Sequence, residues 1–253
     1  MSLLAWVDGA VVDASTLRCD VPYVMQRIHT LGGRPRSVAR HLALLNEAAE
    51  YLFGLATLCR EADAERIVAR LLEVSHANAS FSYPVAMRLD CRGLLSFEVE
   101  PPTFGRGYYL RAKRLHGEVL EGVTSDIVAQ SSVSVALDAM AESRVAVRGG
   151  ECAVLVDERR MLISRPWLPI FAVYGSRVYT PVEHRSVEFI TARRAIERLG
   201  MELVVRSLSE EVLERVEELF VVDIMGVSAY VDIRQHSLLS AASKRIAEAM
   251  ESN

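Results

Sequence analysis

The chain reads as an α+β protein of two lobes, a smaller N-terminal α+β domain over 1–104 and a larger α+β domain over 108–253. Three observations predict this. Apolar residues recur at helical spacing in several separate segments, and short apolar runs bounded by turn residues lie between them. Helices and strands do not alternate regularly, which disfavours a doubly wound parallel sheet. Finally, Pro101-Pro102-Thr103-Phe104-Gly105-Arg106-Gly107 punctuates the chain with two prolines and two glycines, and its end, 105–107, is read as the linker.

The elements follow in order. Leu4-Ala5-Trp6-Val7 and Ala10-Val11-Val12-Asp13 flank Asp8-Gly9, a pair suited to the positive φ angles of a tight hairpin turn. A less regular stretch runs to Arg36. From Ser37 to Phe53, Val38, Leu42, Leu45, Ala49 and Leu52 repeat at three and four, and Gly54 supplies a stop. A second helix is expected from about Ala62 to His76. Val85–Leu89 and Leu94–Val99 read as paired strands around Asp90-Cys91-Arg92-Gly93. A strand over Tyr108–Leu115, a polar stretch to Ser134 and a helix over Val135–Ala146 come next. Two hairpins are expected, Ala153–Val156 with Met161–Ile163 and Ile170–Val173 with Val178-Tyr179. A helix over Glu188–Leu199 ends at Gly200 and leads to a strand over Glu202–Val205. Ser209-Glu210-Glu211 carries helix-start chemistry. Two strands broken at Met225-Gly226 and an amphipathic helix over Leu238–Glu251 complete the chain.

Composition narrows the function. With 253 residues, 51% hydrophobic and 25% charged, the chain can bury a core. It shows no apolar run of membrane-spanning length and no basic leader, so no membrane is expected and the location is read as cytoplasmic. A net charge of −4 argues against nucleic acid as a partner. Cys19, Cys59, Cys91 and Cys152 make no CxxC pair, and six scattered histidines make no ligand spacing, so no metal is expected. Of 29 basic residues only Lys113 and Lys244 are lysines, which restricts any chemistry that needs an amine.

Five stretches carry a resemblance: Trp6-Val7-Asp8-Gly9; Arg40-His41-Leu42-Ala43-Leu44-Leu45; Glu151–Asp157 leading to Ile163-Ser164; Pro169–Val173 through Val178-Tyr179-Thr180-Pro181; and Ala195–Gly200 through Glu217-Glu218-Leu219-Phe220. In this order they resemble the class IV aminotransferases, the fold-type IV pyridoxal-phosphate (PLP) enzymes. These include branched-chain and D-amino-acid aminotransferases and aminodeoxychorismate lyases. The resemblance implies their two-lobed architecture and a homodimer.

It also implies site positions, and this sequence departs at most of them. Counted back from Ala153, the Schiff-base lysine of the family falls on Ser131, or on Ser132 with a one-residue slip. A hydroxyl cannot form an imine. The phosphate-binding arginine of H-L-x-R-L falls on Leu44, the glutamate facing the ring nitrogen on Ser164, and the asparagine of N-x-F on Pro169. The phosphate loop falls near Ser186-Val187, and T-x-T on Val222-Asp223-Ile224. The expectation is an aminotransferase-like protein without catalytic or cofactor-binding residues and without a cofactor, acting in binding or assembly. Arg27, Arg34, Arg36 and Arg40 are candidates for a small anionic metabolite. One alternative is an active PLP-dependent aminotransferase or lyase using Lys113. Another is a cofactor-independent enzyme around Ser131, Ser132 and a nearby histidine.

Overall fold

A computed structural model describes residues 3–17, 20–103, 107–108, 110, 115–123 and 127–251. They fall into two compact units, Met1–Gly107 with Ile127–Val133, and Tyr108–Asp126 with Ser134–Asn253. The strand expected over Tyr108–Leu115, Lys113 included, lies largely outside the described residues.

The first unit opens with the hairpin β1 (Leu4–Val7) and β2 (Ala10–Asp13). Its turn residues Asp8 and Gly9 take φ 48° and 84°, as the Asp-Gly pair predicts. Then come β3 (Tyr23–Ile28) and the small hairpin β4 (Thr30–Leu31) and β5 (Arg34–Pro35). Two helices follow, α1 (Val38–Phe53) and α2 (Glu61–Val74), and then strands β6 (Val85–Asp90) and β7 (Leu95–Val99). Gly54 ends α1 in the left-handed conformation at φ 67°. The chain gives β8 (Leu115–Glu121) to the second unit before β9 (Gln130–Ser131) pairs antiparallel with β3. This pairing places 127–133 with the first unit, although the sequence segmentation assigned them to the second. The sheet runs β2-β1-β7-β6-β3-β9, antiparallel throughout. One face packs against Leu42, Leu45, Ala49, Val68 and Leu71 of the two helices.

The second unit takes α3 (Ser132–Val147) from Ser134 onward and continues with β10 (Cys152–Val156), β11 (Ile170–Tyr174), β12 (Arg177–Thr180), α4 (Val187–Arg198) and β13 (Glu202–Val205). β14 (Glu218–Asp223), β15 (Gly226–Ile233), β16 (His236–Ser237) and α5 (Ala241–Glu251) complete it. The main sheet runs β10-β8-β15-β14-β11-β12-β13 and is mixed, with parallel pairs β10–β8, β8–β15 and β12–β13. Phe171 stacks between Phe189 and Phe220, with ring centroids 5.7 and 5.1 Å apart, and anchors α4 to this sheet.

The structure refines one sequence expectation and corrects another. The hairpin of β10 with Met161–Ile163 is confined to the end of the strand, where the antiparallel bridge Val156–Leu162 is flanked by Ile163 N–H to Leu155 O at 2.8 Å and Asp157 N–H to Met161 O at 2.9 Å, while the main ladder of β10 is the parallel one with β8. Ser209 does not cap a helix with its side chain. Glu210–Glu214 forms one short 3₁₀ turn, in which buried Glu210 pairs with Arg160 and Arg234. Those two ion pairs offset the cost of removing the carboxylate from water.

Candidate functional site

In the first unit, backbone pairing fixes the position that the sequence matched to the family's lysine. Ser131 sits opposite Val24 on the edge strand β9 and is buried. Next to it, Gln130 accepts a hydrogen bond from Arg27 Nη1 at 2.5 Å, while Arg27 Nε lies 2.9 Å from both carboxylate oxygens of Glu100. Arg27 is therefore already matched by a carboxylate. Ser132 begins α3. Leu44 is buried in α1 at 4% exposure, with no polar atom to offer a phosphate. Arg34, Arg36 and Arg40 are exposed around β5 and the start of α1.

The helix α1 also buries His41, the histidine of the matched motif. His41 Nδ1 lies 2.9 Å from Gln26 Oε1, so Nδ1 carries the proton. Among the described residues nothing hydrogen-bonds its Nε2. Burial, followed by the charges of His29 and Arg40, lowers its pKa to about 3.

In the second unit, Ser164 lies on the loop between β10 and β11 and is buried. Its hydroxyl accepts the Ile170 N–H at 3.2 Å and meets His184 Nε2 at 2.9 Å. The His184 ring stands edge-on to Phe189, 5.8 Å between centroids at 87°. Burial pulls the His184 pKa down to about 4, partly opposed by a hydrogen bond with the Ser164 backbone. At neutral pH this is an uncharged hydroxyl–imidazole pair. Sequence reasoning named Ser164 and missed His184, because nothing in a 20-residue separation announces a contact.

Nearby, Asp138 of α3 holds the same loop through Arg165 and through Trp167 Nε1 at 2.9 Å. Val222 is fully buried in the apolar cluster around Phe171 and Phe220, and Ile224 sits in the β14–β15 turn beside the Met225 N–H that donates to Asp223. Ser186 caps α4 by accepting the Phe189 N–H at 3.3 Å, and Glu188 occupies the first turn. A carboxylate there already answers the positive end of the helix dipole. Lys244 is exposed on α5. Among the described residues no group of histidine, cysteine and acidic side chains is arranged to hold a metal ion. No described helix is long and apolar enough to cross a membrane.

Comparison with solved structures identifies the fold. A branched-chain aminotransferase from the archaeon Thermoproteus uzoniensis, solved with norvaline, superposes with a TM-score of 0.82 at 19% identity, over 99% of this chain and 94% of that one. The fold is that of the fold-type IV aminotransferases. An aminotransferase from Brucella abortus bound to PLP gives a TM-score of 0.80 at 16% identity over 99% of this chain and 98% of that one. A fold IV transaminase from Curtobacterium pusillum gives 0.80 at 15% over the same shares. No protein-family model matches the sequence, and no curated protein matches it. The aminotransferase likeness is thus a likeness of fold, and function has to be argued from this chain's own side chains.

Proposed function

We propose that this chain keeps the fold-type IV aminotransferase fold for binding or assembly and does not carry PLP-dependent catalysis. The observation that carries the reading is Ser131, an alcohol buried on β9 where the resemblance expects the imine-forming amine. The remaining matched positions point the same way. A phosphate dianion taken from water needs charge-assisted partners, and Leu44 has none to give. The ring nitrogen of the cofactor works with an acid beside it, and Ser164 is instead engaged by a neutral imidazole and a backbone amide. Val222 is committed to the apolar core. These residues do not fit the cofactor.

Incubation with PLP, an absorption spectrum between about 330 and 430 nm, borohydride reduction and mass mapping test the reading. Colourless, unlabelled protein supports it. A reduced adduct on Lys113 overturns it and makes the chain an active PLP-dependent aminotransferase or lyase.

As partner we propose a second copy of the chain. On α3, Leu137, Met140 and Val147 are 37%, 62% and 90% exposed, and Val123 nearby is 67% exposed. Exposed apolar side chains on one helix, with Val123, Leu137 and Met140 lining one shallow surface, suit a protein interface. Mass measurement in solution should give a dimer, and Met140→Glu should weaken it. As ligand class we propose a small anion at the arginines of this segment, of which Arg34, Arg36 and Arg40 are exposed and Arg27 is half-buried against Glu100.

A further inference from the structure

The first unit carries a groove of about 600 Å³ that contains none of the site positions matched at Leu44, Ser131, Ser164 and Val222, although Trp6 and Asp8 of the first matched stretch line it. It lies between α2, the β1–β2 turn, the β6–β7 turn and the loop joining the helices. Its apolar surface comes from Trp6, Ile67, Leu94 and Leu95. Trp6 is braced by Phe97 in an edge contact, 5.8 Å between centroids at 74°. At the lip, Leu58 is 97% exposed. The loop that presents it is pinned on both sides: Thr57 N–H donates to Asn46 Oδ1 at 2.9 Å, and Cys59 N–H to Thr57 Oγ1 at 3.1 Å. A leucine fixed in water beside an apolar groove is a preformed contact for an apolar body.

The helix wall of the groove carries both signs, Asp63 held by Arg66, and the sheet wall carries one acid. The helix side carries Arg66 and Arg70, one turn apart, with side chains 78% and 64% exposed. Arg66 is bonded to Asp63 and to the Ala62 carbonyl, and Arg70 gives one bond to Glu73 Oε2 at 2.7 Å. A guanidinium has five N–H donors, so both retain some for a carboxylate. The sheet side carries Asp8, exposed in the β1–β2 turn and making no hydrogen bond or ion pair among the described residues. A purely anionic ligand would leave Asp8 unmatched. A purely cationic one would make no use of the donors that Arg70 and Arg66 keep beyond their bonds to Glu73 and Asp63.

We infer that this groove binds an apolar zwitterion of about dipeptide size. The ammonium faces Asp8, the carboxylate takes donors from Arg70 and Arg66, and the apolar side chains lie over Trp6 and against Leu58. The volume falls within the usual range of small-molecule sites.

The test uses leucyl-leucine as probe, with titration calorimetry and Trp6 emission on the full chain. Wild type should bind saturably. Asp8→Asn and Arg70→Gln, both at the surface, should each weaken binding about tenfold. N-acetyl-leucyl-leucine should bind wild type about tenfold more weakly than the free dipeptide and be insensitive to Asp8→Asn, and leucyl-leucinamide should be insensitive to Arg70→Gln. Trp6→Phe should abolish the emission change while calorimetric binding persists. Absence of saturable heat up to about 10 mM dipeptide, equal binding of the free and blocked forms, or unchanged affinity in both charge variants would overturn the proposal.

Discussion

Ser164 Oγ and His184 Nε2 sit 2.9 Å apart inside the second unit, and the Ile170 amide completes the hydroxyl's surroundings at 3.2 Å. The pair is neutral, with Ser164 buried and His184 half-buried, so the imidazole satisfies a hydroxyl to which water has little access. Ser164→Ala therefore leaves both the Ile170 amide and the imidazole short of a partner. The expected loss is about 1–3 kcal/mol of unfolding free energy, read from urea titration. A double-mutant cycle with His184→Phe should show coupling of about 0.5 kcal/mol or more. Additive losses would mean that the contact contributes nothing of its own.

The buried His41 should make stability depend on pH. Its pKa is 6.5 in the unfolded chain and about 3 in the fold. The unfolded chain thus binds more protons between these values, and the stabilisation present above pH 6.5 is lost as pH falls toward 3. For so buried a group the loss from pH 7 to pH 5 is on the order of 2 kcal/mol. His41→Gln should flatten this part of the curve, and an unchanged slope would refute the assignment.

Glu218 fastens α5 to the sheet. Its two carboxylate oxygens accept the Ala242 and Ser243 amides at 2.7 and 2.8 Å, at the positive end of the helix dipole. Glu218→Ala should cost about 1–3 kcal/mol and speed amide exchange in α5 more than in β14. Glu218→Gln, which keeps one acceptor oxygen, should cost less.

Gly150 has no room for a methyl group. A Cβ there would stand 2.6 Å from Glu118 Cγ and 2.7 Å from Val145 Cγ1. Val145 is fully buried, so it has no free direction in which to yield. Gly150→Ala should destabilise by about 1–3 kcal/mol, measured as a lowered midpoint without change of denaturant slope.

Local chemistry alone determined the first hairpin, α1, α2, α4 and the β11–β12 turn. An Asp-Gly pair, a helical repeat and a glycine stop act over a few residues, and neighbours in sequence suffice to specify them. The sequence also determined that only Lys113 and Lys244 can supply an amine, and it placed leucine and serine at the matched positions 44 and 164. Several strands were illegible, β3 and β8 the longest of them. β3 buries Val24, Met25 and Ile28 in a broken pattern, because it lies between β6 and β9 rather than on a simple half-exposed face. β8 contains His116, Gly117 and Glu118 and reads as polar loop; Gly117 is required there because a Cβ would meet the Tyr230 ring at 2.7 Å. The tertiary structure decided these strands, the parallel pairing of β10 with β8, and the meeting of Ser164 with His184. Each is a contact between segments whose spacing carries no periodic signal, so only the closed chain brings them together.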